Sequence, residues 1–412
     1  MRNPEILPMK NLEVLPLPLN GKAKKLTVVS LFSGGGGLDL GLEAVGFETL
    51  FASDIDPYSA VTLQWARDSH EKTFPELLEQ AVILREDIRN LRGSFILEAT
   101  KKKRGDIDLL AGGPPCQAFN VFGKRRGTAD PRGTLVFEYL RVLSQIQPRA
   151  FVFENVAGLL TIEKGEVFKK VCSLLREPKN GLRYEVSVLR LNASNFGVPQ
   201  FRDRIFIVGA LNGRRVDLPQ PWTVEKVDWS MPNAMAFRTV RRALAGLPKI
   251  EASYPANHTG RTHSQRIIDR YASMTFGERD GFTRINKLNP DRPSFTIIVG
   301  SDKGGGKGHI HPFEPREVTP RESARIQTFP DFWAFAGSVR HPIRQIGNAV
   351  PPLLGSAVGN AIKTAIFDCP PMPLETIVKR LGQQHLFPEF RKPKQTTKDD
   401  NQSMRPTRQL RA

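Results

Sequence analysis

An α/β fold with a Rossmann-like core is the class the sequence predicts, on three observations. The run LTVVSLF at 26–32, β-branched and suited to a buried strand, leads straight into Ser33-Gly34-Gly35-Gly36-Gly37, and residues 38–45 then carry apolar side chains at helical spacing. Short apolar runs recur at 49–52, 81–84, 107–110, 150–153, 184–191 and just after Arg204, with helical patterns at 135–146 and 165–175 among the segments between them. Acidic or reactive residues stand at the ends of several of these runs, the edge at which open α/β sheets hold their ligands.

Composition bounds the function. The 412 residues suffice for one large domain and a smaller one, and 40% hydrophobic with 25% charged residues describes a soluble globular protein. The formal charge of +18 attracts polyanions, nucleic acid first, unless a basic tail on a neutral domain accounts for it. Cys116, Cys172 and Cys369 are odd in number and lack CxxC pairing. That pattern speaks against a disulfide framework or a zinc site, so no metal is expected and a reducing cytoplasm is the expected compartment. No apolar run reaches the length of a membrane span.

Taken in order, residues 1–25 read as a flexible leader. The strand, glycine turn and helix that follow open a nucleotide-binding unit, the glycines admitting a bound nucleotide close to the backbone. Asp54, about twenty residues beyond the glycines, is placed to accept hydrogen bonds from a ribose diol. Asp56 and Asp87 are further acidic candidates; each taken alone is also a plausible solvated carboxylate.

The stretch DLLAGGPPCQAFN at 108–120 follows. Gly112-Gly113-Pro114-Pro115 stops both strand and helix, so Cys116 sits on a rigid loop at a strand end, a poor place for a structural thiol. The basic, glycine-rich loop at 122–133 suits a phosphate backbone or simply water. Glu154-Asn155 closes the run at 150–153, which sets a carboxyl on the same sheet edge as the thiol: a nucleophile with a proton donor or acceptor in reach. Gln200, Arg202 and Arg204 alternate at the entrance to the next strand and can share a face, or be surface residues. From 211 to about 290 periodicity weakens while Pro, Trp, Arg and His become frequent, as in a smaller inserted lobe with a basic face. Gly304 to Gly308 is no phosphate-binding loop, since no Ser or Thr follows Lys307. Helical pattern returns at 321–328, and Pro351-Pro352 opens a last helix to about Phe367. The tail at 385–412 is basic and expected to be disordered.

The blocks LFSGGGGLDLGLE, SDID, EDI, GGPPCQ, ENV, QFRDR, RESARIQTFPD and QIGNAVPP, in that order, resemble those of the DNA (cytosine-5)-methyltransferases of prokaryotic type, over roughly 26–367. The resemblance implies a Rossmann-like methyltransferase fold: a catalytic and cofactor-binding domain at 26–210, a target-recognition lobe at 211–290, and 291–370 completing the lobe and returning to the catalytic domain. It implies S-adenosylmethionine as methyl donor, bound by Phe32, Ser33, Gly34, Gly36, Asp54, Ile55, Asp87, Ile88, Gly113, Pro115, Asn348, Ala349 and Val350. Cys116 would be the nucleophile, Glu154 the partner of the cytosine ring nitrogen, and Arg204 a contact to its carbonyl oxygen, with Arg202 and Gln200 as positioning neighbours. Gly35 stands where the family often has Cys, and Asn120 where it often has Ser; neither removes a chemical role. Double-stranded DNA is the implied partner of a monomeric enzyme, either the protective half of a restriction–modification pair with a cognate endonuclease or an orphan. A tRNA-directed relative fits less well, because the lobe lacks the Cys-Phe-Thr triplet of that branch. A catalytically silent DNA-binding module is disfavoured by the intact Cys116, Glu154 and Arg204.

Overall fold

The computed structural model describes residues 25–115, 135–178, 181–227, 231, 234–299 and 306–390. Seven strands form the central sheet: β1 (Leu26–Leu31), β2 (Phe47–Asp54), β3 (Val82–Arg85), β4 (Leu109–Gly112), β5 (Ala150–Val156), β6 (Glu185–Asn192) and β7 (Asp203–Ala210). Their spatial order is β3-β2-β1-β4-β5-β7-β6. β7 runs antiparallel between β5 and β6; the other pairs are parallel. The chain reverses direction across the sheet between β1 and β4, the switch point at which such sheets bind ligands.

The apolar runs separate into two layers because side chains alternate along a strand. Val28, Ala52, Leu109 and Val152 face one side, where Leu40 and Leu42 of α1 (Gly37–Ala44) and Leu63 of α2 (Pro57–Asp68) cover them. Val29, Leu110, Phe151 and Phe153 face the other, under Ile96 of α3 (Gly93–Ala99), Tyr139 and Leu143 of α4 (Leu135–Ile146) and Val171 of α5 (Glu166–Arg176).

The lobe contributes α6 (Val240–Leu244) and α7 (Gln265–Ser273) with little strand, and α8 (Pro320–Ile326) begins the return. α9 (Arg340–Asn348), α10 (Pro352–Phe367) and α11 (Leu374–Arg380) follow. The helix expected from Pro351-Pro352 to about Phe367 is α10; it is not the last, since α11 follows it. α10 lies on α1 with backbones touching: a Cβ on Gly41 would lie 2.6 Å from the Pro352 carbonyl oxygen and 2.8 Å from Gly355 Cα. Ser356 Oγ donates to Gly41 O across this contact at 3.0 Å.

The basic tail does not begin at residue 385 as expected. Leu386 and Phe387 are fully buried, and the Phe387 ring fills the space that a Cβ on Gly197 would take. Arg238 stacks over that ring at 4.3 Å and pairs with Glu389 at 2.9 Å. Two aromatic residues, Phe387 and Phe390, supply the apolar surface that a count of basic residues overlooks. Residues 1–24 of the expected leader, residues 116–134 with Cys116, Asn120 and the basic loop expected at 122–133, and the tail from 391 lie outside the described residues.

Candidate active site

The glycine turn after β1 bends sharply enough to need glycine at Gly34 (φ 54°) and Gly36 (φ 78°), and even Phe32 adopts φ 56°. Ser33 N donates to Ser53 O at 3.1 Å, so the turn lies against the end of β2. There Asp54 accepts from Gly34 N through Oδ2 and from Asp56 N through Oδ1, each at 2.8 Å. A carboxylate has about four acceptor positions. Among the described residues two of them take no hydrogen bond. Burial raises the Asp54 pKa above its ordinary value, against the pull of those two N–H groups.

Ile55, 59% exposed, presents a large apolar side chain beside Asp54. Asp56 is explained by structure alone: it caps α2, accepting from Tyr58 N and Ser59 N, and pairs with Arg344. Asp87 lies two residues beyond Arg85, the register partner of Asp54, and Arg89 holds its carboxyl below the usual range. Ile88 beside it is buried.

The link between α9 and α10 closes over the same turn. A Cβ on Gly37 would lie 2.1 Å from Val350 O, and Trp333 Nε1 donates to Gly35 O at 3.1 Å. Ala349 and Val350 are buried; Asn348 is exposed at the end of α9. Residues more than three hundred positions apart in sequence thus pack against one glycine turn.

Glu154 lies inside β5, opposite Phe206 of β7, rather than beyond the strand as its position after the apolar run suggests. Its Oε1 is 2.9 Å from Arg204 Nε, and both side chains are nearly buried. Burial raises the Glu154 pKa, while Arg204 and Arg202 oppose the rise. A Cβ on Gly113 would come within 2.7 Å of Glu154 Oε2, which makes glycine the residue that fits there. Asn155 Nδ2 donates to Pro114 O at 3.0 Å, tying the Gly-Pro-Pro loop to the strand that bears Glu154. Pro115, exposed, is the last described residue before Cys116.

Arg202 is no surface residue. It is 1% exposed, and its Nη2 donates to the carbonyls of Gly347 at 2.7 Å and Ala349 at 2.9 Å. Burial lowers its pKa well below the ordinary arginine value. It acts on Glu154 and Arg204 electrostatically, while its Nε and Nη1 have no hydrogen-bond partner among the described residues. Gln200 is fully buried, with no hydrogen-bond partner for its side-chain amide among the described residues. Trp333 escaped the sequence reading, because nothing local distinguishes a Trp that seals a glycine turn from one in any core.

The family model for C-5 cytosine-specific DNA methylases matches residues 26–364. The chain belongs to that family. It is therefore a DNA (cytosine-5-)-methyltransferase, as its motif order leads one to expect. The Type II methyltransferase M.XorII of Xanthomonas oryzae pv. oryzae is 33% identical over 394 residues, covering 87% of this chain and 89% of that protein. M1.HphI of Haemophilus parahaemolyticus is 32% identical over 354 residues, covering 82% and 86%. Among solved structures, a candidate DNA modification methyltransferase encoded within an E. coli prophage matches with TM-score 0.63 and 29% identity, over 82% of this chain and 99% of that one. The S. pombe Dnmt2 methyltransferase shares the fold with TM-score 0.55 at 20% identity, over 82% and 99% of the two chains.

Among the described residues no helix is long and apolar enough to cross a membrane, and no three His, Cys, Asp or Glu side chains are grouped to hold a metal.

Proposed function

We propose that this methyltransferase transfers a methyl group from S-adenosylmethionine to carbon 5 of a cytosine flipped out of a specific double-stranded DNA sequence, through a covalent adduct with Cys116. The observation that carries the reading is the junction of two sites. Arg202 bonds the carbonyls of Gly347 and Ala349 and acts electrostatically on the Glu154–Arg204 pair, and Val350 packs on the glycine turn, whose Gly34 N donates to Asp54.

The cleft suits S-adenosylmethionine. Asp54 keeps acceptor positions for ribose hydroxyls, Asp87 is an acceptor for the adenine amine, and Ile55 and Ile88 are apolar flanks for the ring. Phe32, Ser33, Gly34 and Gly36 supply the turn, Gly113 and Pro115 the opposite side, and Asn348, Ala349 and Val350 the methionine end. The donor supplies an electrophilic methyl group on a sulfonium.

Carbon 5 of cytosine is too weak a nucleophile to take that group unaided. The Cys116 thiolate adds to carbon 6, breaks the ring's aromaticity and moves electron density to carbon 5. Glu154, whose pKa burial raises, hydrogen-bonds the ring nitrogen, and Arg204 meets the carbonyl oxygen, so both stabilise charge as the thiolate adds. Once carbon 5 carries the methyl group, loss of its proton restores the 5,6 double bond and expels the thiolate. Arg202 and Gln200 hold the pair in place.

The base must leave the stack first, at a cost of a few kcal/mol that contacts from the lobe at 211–290 offset. The +18 charge suits that partner, and the enzyme acts as a monomer in the cytoplasm, paired with a cognate endonuclease or as an orphan. Radiolabel transfer from S-adenosylmethionine to duplex DNA and to tRNA tests the substrate. Label in DNA alone is expected; label in tRNA alone overturns the reading.

A further inference from the structure

Residues 277–287 form a tightly tied hairpin in the lobe. Gly277 N donates to Lys287 O at 2.7 Å, Lys287 N to Glu278 O at 2.9 Å, and Asp280 N to Ile285 O at 2.8 Å. The Asp280 carboxylate, 4% exposed, accepts from Thr283 N at 2.6 Å and pairs with Arg270 Nε at 2.8 Å. Lys287 Nζ donates to the carbonyls of Tyr271 and Met274, at 3.0 and 2.9 Å, and so fixes the hairpin to the end of α7.

At its tip stands Phe282. It is 84% exposed, the highest value of any large apolar side chain among the described residues. The tip is held by several hydrogen bonds and an ion pair, so the exposed ring is presented by an ordered support. The Arg270 guanidinium lies 5.5 Å from the ring centroid, and the exposed Arg279 and Arg284 flank the tip.

A ring framed by guanidiniums suits duplex DNA better than an apolar protein groove, because the ring can pack on bases while the cations meet phosphates. The chain that leaves the hairpin pairs with the segment just before β7. Seven residues past the hairpin, Ser294 N donates to Pro199 O and Ser294 O accepts from Phe201 N, each at 2.9 Å, on either side of Gln200. We propose that Phe282 is a DNA wedge, a positioning residue whose ring lodges against the base step beside the target and supports its unstacking. This rests on the DNA reading above.

The test uses the full-length enzyme and an oligonucleotide duplex carrying its target, located beforehand by bisulfite sequencing of host DNA. Phe282→Ala is expected to raise KM for DNA about ten- to hundredfold, the usual effect of losing one base–aromatic contact. KM for S-adenosylmethionine should stay unchanged, and Phe282→Trp should restore DNA binding to near the wild-type value. A duplex with a mismatch at the target cytosine should recover most of the Phe282→Ala deficit, since the base is then already loosened. Wild-type kinetics for Phe282→Ala, or a deficit equal on matched and mismatched duplexes, overturns the wedge. Absence of any methylation of DNA by the wild type would instead overturn the reading beneath it.

Discussion

Gly113→Ala tests whether the Gly-Pro-Pro loop and Glu154 form one unit. The new methyl group would stand 2.7 Å from Glu154 Oε2, while an ordinary C···O contact is about 3.3 Å. The carboxylate must therefore retreat by roughly 0.6 Å, or the loop must move. Retreat is opposed by the 2.9 Å pair to Arg204, and loop movement by the Asn155–Pro114 hydrogen bond. Gly113 has no positive φ, so the conflict is purely steric. Overpacking of this kind costs about 1–3 kcal/mol. A misplacement of about 1 Å at a reacting group can cost about a hundredfold in rate. The expected result is a kcat lower by tens-fold with a modest fall in the urea midpoint. Gly158→Ala is the control, because its methyl would meet nothing nearer than Val156 Cγ2 at 4.0 Å. Methyl transfer by Gly113→Ala at the wild-type rate would refute the reasoning.

Two further predictions concern stability. Burial raises the Asp39 pKa from 3.8 to about 6, so the folded state favours the neutral acid. That contribution is complete below pH 3.8 and is lost as pH rises through about 6, a span of about 3 kcal/mol at 1.36 kcal/mol per unit. Urea midpoints should therefore show Asp39→Asn gaining on the wild type as pH rises from 4 to about 6 and then holding its lead; a pH-independent difference contradicts this. Arg238→Ala removes the stack on Phe387 and the bond to Glu389, and because Glu389 stays 42% exposed the cost should be about 1–3 kcal/mol. An unchanged urea midpoint and unchanged protease sensitivity near residue 385 would show that the C-terminal segment is not held there.

Much of the sheet was legible because its signals are local. The β-branched run before four glycines gives β1 and the turn, and each apolar run that the sequence offered overlaps a strand of the sheet, the run at 107–110 only in its last two residues. The position of β7 between β5 and β6 was not legible, since pairing partners leave no periodic trace in either segment. That register extends β5 to Val156 and so places Glu154 within the strand. Arg202 illustrates the same limit. Alternation at the strand entrance suggested a shared face with Arg204, but its carbonyl partners lie 145 and 147 residues away, and local pattern cannot tell such an arginine from a solvated one. Asp56 is open in the sequence between a ligand and a solvated carboxylate, and an acid before Pro57 is also what a helix N-cap requires, which is its place in the structure.

The most direct test of the proposed mechanism is covalent trapping on duplex DNA whose target base is 5-fluorocytosine. The fluorine cannot leave as the proton does, so the adduct should persist in the presence of S-adenosylmethionine. Mass spectrometry of the digested complex should then place the crosslink on Cys116, and Cys116→Ala should abolish it. A crosslink on another residue, or none from an enzyme that methylates ordinary cytosine, would contradict the mechanism.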